Sequence, residues 1–143
     1  MLKRIRQTVR VILNALDCPE GEISILIVDD SRIEELNRQY LQRRGPTNVI
    51  AFAMRDGEFS HVSPQLLGDV VVSMDTAARE AANAGISPET RFDELLVHGI
   101  LHLFGYDHET SDQDARAMGK KSQELLKLIG QGEFTDGRIN SQN

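Results

Sequence analysis

Five stretches of the chain carry apolar residues at every third or fourth position, which is the spacing of one face of an amphipathic α-helix. The first stretch begins at the N-terminus and ends near Pro19 and Gly21. Ser31 is expected to cap the second helix, with Glu34 at the capping-box position, and Gly130 is expected to end the fifth. The last four helices are predicted over residues 31–43, 74–83, 88–104 and 112–129.

Short runs rich in β-branched residues predict three strands, over residues 23–29, 48–52 and 69–73. The third run is apolar enough to be buried on both faces, and residues 54–67 are predicted as a loop with room for one further short strand. The element order α-β-α-β-β-α-α-α predicts an α+β fold, with a small mixed sheet of three to four strands covered by about five helices. We expect residues 1–130 to form a single compact domain and residues 131–143 a polar, flexible tail.

Composition limits the environment and the kind of metal site. The chain has 143 residues, and no apolar run approaches the roughly 20 residues that span a bilayer. No continuous apolar segment follows the basic N-terminus, so we expect a cytoplasmic protein without a signal peptide. Cys18 is the only cysteine, which excludes an internal disulfide and a zinc site made mainly of thiolates. The net charge of −6 is not that of a generic nucleic-acid binder, but it leaves an RNA substrate open.

Three of the four histidines lie within the segment from His98 to His108. His98 and His102 are four residues apart on a predicted helix, so both imidazoles share one face and can bind one ion. His108 cannot share that face unless the helix ends first, and Gly105 is suited to a left-handed C-terminal cap that allows the chain to turn back. Three imidazoles without a fourth protein ligand describe an open zinc site with a position for water, which is typical of a hydrolase.

The residue after the first histidine distinguishes between classes of zinc hydrolase. The spacing of the three histidines is that of the metzincin proteases, whose pattern is His-Glu-x-x-His-x-x-Gly-x-x-His. Gly99 stands where those proteases carry their glutamate base. The sequence therefore argues against peptide hydrolysis by that mechanism.

With Gly99 included, the segment from His98 to His108 closely resembles the signature of the bacterial YbeY family. Two further blocks resemble that family in the same order: Leu36-Asn37 and Tyr40 with residues 46–52, and residues 67–73 followed by a helix containing Ala and Glu. The resemblance implies a single-domain endoribonuclease that is specific for single-stranded RNA and depends on one Zn²⁺ per chain. It also implies action on ribosomal RNA, in maturation of the 16S 3′ end and in ribosome quality control. The implied metal ligands, which act in catalysis through the metal and its water, are His98, His102 and His108.

One departure from the family pattern concerns substrate binding. An arginine usually follows the aromatic residue of the Asn-x-x-Tyr block, whereas this chain has Leu41. Arg43 or Arg44 can contact phosphate in its place, or both can be exposed cations at a helix end. Asn48 is a further candidate for substrate binding, by analogy alone.

Two carboxylates near the histidines have open roles. Asp107 can orient a ligand imidazole or cap the turn that follows. Glu94, one turn before His98, can act as a base, orient a ligand imidazole or be an exposed helix residue.

Two other functions stay open at the level of sequence. The chain can be a metal-dependent hydrolase of another substrate, or a zinc-bearing ribosome assembly factor that does not cleave RNA. The expected partners are RNA in ribosomal particles and ribosome-associated proteins, with no membrane.

Overall fold

The computed structural model describes residues 2–54, 65–107 and 111–135, and for residues 131–135 it describes the backbone alone. His108, which is the third predicted metal ligand, lies outside these residues. Contacts divide the chain into two compact units, Glu22–Gly105 and Met1–Gly21 with Tyr106–Asn143.

The unit Glu22–Gly105 is built on a three-stranded mixed sheet, in which β1 (Glu22–Val28) and β2 (Val49–Ala53) flank β3 (Leu66–Ser73). β1 runs parallel to β3 and β2 antiparallel to it. The central position explains why β3 is so apolar, since it can be buried on both faces. β3 begins three residues before the predicted position, because pairing with β1 extends back to Leu66.

Helices cover both faces of this sheet. Successive residues of a strand point to opposite faces, and α2 (Asp30–Leu41) packs Ile33 and Leu36 around Val71 on one face. On the other face, α4 (Pro88–Leu103) packs against Val70 through Gly99. α3 (Met74–Ala84) follows β3 directly, with Ser73 as its N-cap, and contacts α4.

Two predicted helix boundaries were wrong. The N-cap of α2 is Asp29, whose carboxylate accepts the backbone N–H of Arg32 at 2.8 Å, and not Ser31. In the second unit, α1 (Leu2–Ala15) contacts α5 (Asp112–Thr135), which continues through Gly130. A helical glycine costs only about 1 kcal/mol relative to alanine, which does not suffice to end α5 there.

The predicted order of elements and the α+β class are confirmed, with three strands and five helices in the described residues. None of the described helices has the length and apolar character needed to cross a membrane. The predicted tail from residue 131 is in part the end of α5, and residues 136–143 lie outside the description.

Candidate metal and RNA-cleavage site

The predicted metal ligands His98 and His102 lie on a polar stripe of an otherwise buried helix. From residue 91 to residue 103 of α4, nine residues are buried, and the half-buried ones follow a spacing of three or four residues. That spacing places them on one face of the helix. The stripe consists of Arg91, Glu94, His98 and His102.

The two imidazoles converge at the C-terminal half of this stripe. The Nε2 atoms of His98 and His102 lie 3.2 Å apart, and the rings meet edge-on with centroids 4.7 Å apart and planes at 69°. Two nitrogens bound to one tetrahedral zinc ion at about 2.0–2.1 Å each would lie about 3.3 Å from each other. The pair therefore fits two ligand positions of a zinc ion, and without a metal one Nε2–H can donate to the other Nε2.

Gly99 determines how closely α4 approaches the sheet. A Cβ atom added there would lie 2.7 Å from Cγ1 of Val70 and 3.3 Å from Cγ2 of Val49. The residue after His98 thus points at the sheet in this fold and has no room for a glutamate. The structure gives a steric reason for the absence of the protease-type base.

Gly105 ends this region as predicted. Its φ of +94° is in the left-handed range that favours glycine, and its N–H donates to the carbonyl of His102 at 3.0 Å. The residues after this turn include His108, whose contribution to the site stays a prediction. Within the described part of the chain, no group of three or more His, Cys, Asp or Glu side chains is placed to hold a metal.

A charged network occupies the N-terminal half of the stripe. Arg91 binds Glu94 at 2.7 Å through Nη1, and Glu80 of α3 at 2.9 Å through both Nε and Nη2. Burial lowers the pKa of the Arg91 guanidinium, but the hydrogen bonds to Glu94 and Glu80 outweigh this effect and the net pKa is raised. These side chains line a cleft of about 330 Å³ between α3 and α4.

This network limits what Arg91 and Glu94 can do chemically. The guanidinium of Arg91 is already shared between two carboxylates, so it is not available for a phosphate. Glu94 is ion-paired and half-buried, which differs from the exposed helix residue that was one of its predicted roles. Sequence spacing could have indicated the pair of Arg91 with Glu94, because they are three residues apart on a predicted helix. Glu80 could not have been found that way, because it comes from another helix.

Comparison with known proteins identifies the family to which the chain, including its histidine segment, is related. A family model described as Endoribonuclease YbeY matches residues 1–130. The chain belongs to the YbeY endoribonuclease family. This confirms the resemblance and the predicted enzyme class, an endoribonuclease.

Curated relatives of the YbeY family match most of the chain. Endoribonuclease YbeY of Syntrophus aciditrophicus is 48% identical over 129 residues, which are 90% of this chain and 81% of the relative. Endoribonuclease YbeY of Syntrophotalea carbinolica is 49% identical, with 90% and 86% covered. That of Geobacter sulfurreducens is 47% identical over 131 residues, with 91% and 87% covered.

A solved structure shares the fold. The solution structure of TM1509 from Thermotoga maritima superposes with a TM-score of 0.66 at 24% sequence identity, covering 98% of this chain and 85% of the other. At this identity, the likeness supports the α+β architecture alone.

The asparagine of the YbeY-like Asn-x-x-Tyr block has a structural role in this chain. Asn37 is buried, and its carbonyl accepts the N–H groups of Gln42 and Arg43. Its side-chain amide donates to the carbonyl of Gly45 at 3.0 Å. One buried residue thus fixes both ends of the loop that carries Arg43 and Arg44.

The predicted substrate-binding residues have different surroundings. Arg43 and Arg44 follow the end of α2 and are exposed. Among the residues that the structure describes, neither guanidinium has a hydrogen-bond or ion-pair partner. The Nδ2 atom of Asn48, by contrast, donates to both oxygens of Glu80 at 3.3 Å, and it would have to leave that carboxylate to donate to a substrate.

Proposed function

We propose that this chain is a zinc-dependent endoribonuclease that hydrolyses phosphodiester bonds in single-stranded RNA. The observation that carries the proposal is the 3.2 Å separation of the Nε2 atoms of His98 and His102 on one face of α4. His108, which follows the turn at Gly105, is proposed as the third ligand. When bound, the zinc ion would supply a Lewis acid and an activated water.

The fold holds the two histidines in place for this task. Gly99 packs against Val70 on the side of α4 that faces the sheet, so the helix that carries His98 and His102 lies in close contact with the sheet at this point. A ligand pair on a rigid helix loses little conformational freedom on binding an ion.

We assign the contact with RNA phosphates to Arg43 and Arg44. Both are exposed, and in the described structure their charges are not neutralised by a carboxylate. Each contact between a cation and a phosphate releases condensed counterions, so RNA binding should weaken as salt rises, with a slope of about −0.7 per contact for single strands. Asn48 remains a candidate for substrate binding, and it can donate its Nδ2–H groups to a substrate only in a state in which Glu80 releases them.

We further propose that the substrate is ribosomal RNA, with maturation of the 16S 3′ end and ribosome quality control as the cellular roles. Ribosomal particles and their proteins would then be the partners, and the cytoplasm the location. The support for this proposal is membership in the YbeY family. The net charge of −6 is consistent with a substrate that is delivered by a larger assembly.

The direct test is cleavage of a single-stranded fragment of ribosomal RNA by the purified chain. Cleavage should stop on treatment with a chelator, return when zinc is added, and be absent in His102→Ala. His61, the remaining histidine, offers a matched control, and His61→Ala should cleave like wild type. Cleavage that persisted in metal-free His102→Ala would contradict the proposal.

A cellular experiment separates cleavage from an assembly role. Cells depleted of the protein would be complemented with wild type or with the variant in which all three histidines are alanine, and the 16S 3′ end would be mapped. We expect rescue by wild type only. Equal rescue by both would support a zinc-bearing assembly factor instead.

A further inference from the structure

An exposed aromatic ring precedes the two exposed arginines by a few residues. The side chain of Tyr40, near the end of α2, is 59% exposed. Its ring contacts the ring of Phe52 in β2 in an edge-to-face arrangement, with centroids 5.8 Å apart and ring planes at 74°. Phe52 itself packs against the buried cluster between α2 and the sheet. The ring of Tyr40 is therefore held from one side while most of its surface faces solvent.

The sequence segment that contains Tyr40 carries positive charges and no negative ones. Residues 36–55 contain no Asp or Glu in a chain whose net charge is −6. The same segment contains four arginines, which are Arg38, Arg43, Arg44 and Arg55. A polyanion is the partner that such a segment favours electrostatically.

The backbone of the loop that carries the two arginines is anchored close to Tyr40. Arg43 and Arg44 are three and four residues beyond Tyr40, so their Cα atoms lie within about 11 and 14 Å of its own. The loop that carries them is anchored by Asn37 through the N–H of Arg43 and the carbonyl of Gly45. Two backbone conformations with positive φ, at Gln42 and Gly45, shape the same loop. A short oligonucleotide can thus reach the ring and the two arginine side chains together without having to order the backbone of this loop.

Single-stranded RNA has the two chemical features that match this arrangement. Its unstacked bases pack against exposed aromatic rings, and its phosphates bind arginine side chains. We propose that Tyr40 is a base-stacking residue for single-stranded RNA, with Arg43 and Arg44 on the adjacent phosphates. We call these three residues the Tyr40 platform. The proposal rests on the proposed function, because it takes RNA as the substrate, and it adds a residue that determines the preference for unpaired RNA.

The chain provides its own spectroscopic probe for this contact. It has no tryptophan and only two tyrosines, Tyr40 and Tyr106. In a Tyr106→Phe background, Tyr40 is the single tyrosine fluorophore. A second substitution, His102→Ala, would prevent cleavage during the measurement. Titration with a short single-stranded RNA of about ten nucleotides, within the usual site size of such contacts, should quench the tyrosine emission, because a base stacks on the ring.

Affinity measurements should identify the ring as the source of binding energy. By fluorescence anisotropy with the same labelled RNA, Tyr40→Ala should weaken binding at least about fivefold, whereas Tyr40→Phe should stay within about twofold of wild type. Leu26→Ala is a matched control, since Leu26 is an apolar residue of the same unit with 43% exposure. It should bind like wild type. Thermal unfolding of Tyr40→Ala would check that the fold is intact.

The possible outcomes separate a failure of the Tyr40 platform from a failure of the proposed endoribonuclease function. RNA cleavage by wild type together with unchanged RNA affinity in Tyr40→Ala and no quenching would overturn the platform and leave the endoribonuclease intact. Quenching and loss of affinity without any cleavage by wild type would support the platform and contradict the proposed function. If Tyr40→Ala instead abolished self-association in sedimentation and left RNA binding unchanged, the exposed ring would be a contact between two copies, and the platform would be wrong.

Discussion

Gly99 of α4 faces Val70 of β3 so closely that a Cβ atom on the glycine would lie 2.7 Å from Cγ1 of the valine. Val70 is fully buried in the central strand and cannot move aside without disturbing both neighbouring strands. The contact sets the distance between the helix that carries the histidines and the sheet. It also means that packing against the sheet, and not catalysis, requires glycine at position 99 of the histidine segment.

Gly99→Ala should therefore destabilise the protein. Overpacking a buried site costs about 1–3 kcal/mol, which outweighs the gain of roughly 1 kcal/mol in helix propensity. Gly119→Ala is a matched control, because a Cβ atom on this helical glycine of α5 would meet no heavy atom within 4 Å, so the variant should gain that propensity. Urea unfolding of the two single variants, and of the double variant that combines Gly99→Ala with Val70→Ala, would measure the change in the free energy of unfolding. Equal stabilisation by both alanines would contradict the close contact.

Asn37→Ala should loosen the loop that carries Arg43 and Arg44. It removes the buried amide that binds the carbonyl of Gly45. Loss of a buried hydrogen bond costs about 1–3 kcal/mol when its partner is left unsatisfied. Gln39→Ala, at an exposed position of the same helix, should change the free energy of unfolding by less than about 0.5 kcal/mol. Chemical denaturation of the two variants compares them, and equal midpoints would show that Asn37 does not anchor the loop.

The carboxylate of Asp30 predicts a specific dependence of stability on pH. Hydrogen bonds from the hydroxyls of Ser73 and Thr76, both 2.6 Å, together with Arg79 lower the pKa of Asp30 to about 2. A carboxyl whose pKa is lower in the folded state than in the unfolded state stabilises the fold when it is ionised. That stabilisation is complete above about pH 4 and is lost as the pH falls through about 2.

The difference in stability between wild type and Asp30→Asn should accordingly be constant above about pH 4 and shrink toward about pH 2. Denaturant unfolding across this range measures it. Thr76→Val removes one of the donating hydroxyls, so the pKa of Asp30, followed by NMR, should rise toward its ordinary value of 3.8. A pKa of Asp30 that was the same in both proteins would contradict the role of the hydroxyl.

Arg91→Gln should destabilise the contact between α3 and α4. The guanidinium bridges Glu80 and Glu94, and its removal leaves two carboxylates without their shared cation. We expect the free energy of unfolding to fall by about 1 kcal/mol, which is at the upper end of the range for partly exposed ion pairs. Arg32→Gln breaks an ion pair with Glu35 whose side chains are 55% and 54% exposed, so its effect should be smaller. Thermal unfolding that ranked the two variants in the opposite order would be inconsistent with this bridge.

The sequence predicted the elements well because their periodicity is local. The boundaries that failed depended on tertiary structure or on small energy differences. Asp29 and Ser31 are both good N-cap residues, and the choice between them follows from where β1 ends. Gly130 was expected to end α5, but the helix continues to Thr135.

The candidate site was predictable in the part that lies on one helix. The spacing of His98 and His102 indicated their convergence, and the structure brings their nitrogens together. The ion pair of Arg91 with Glu80 joins two different helices, so the spacing of residues within one helix could not predict it. The exposed ring of Tyr40 could not be distinguished from a core aromatic either, because it lies in a helix with ordinary apolar periodicity.

Zinc binding by His98 and His102, with His108 as the third ligand, is the property on which the proposed activity depends. Elemental analysis of the purified chain tests it most directly, with His98→Ala, His102→Ala and the control His61→Ala measured in parallel. We predict one zinc per chain in wild type and in His61→Ala, and a loss of nearly all zinc in the other two variants, with folding confirmed by circular dichroism. Zinc retained at one per chain in folded His98→Ala and His102→Ala would contradict zinc binding at this site.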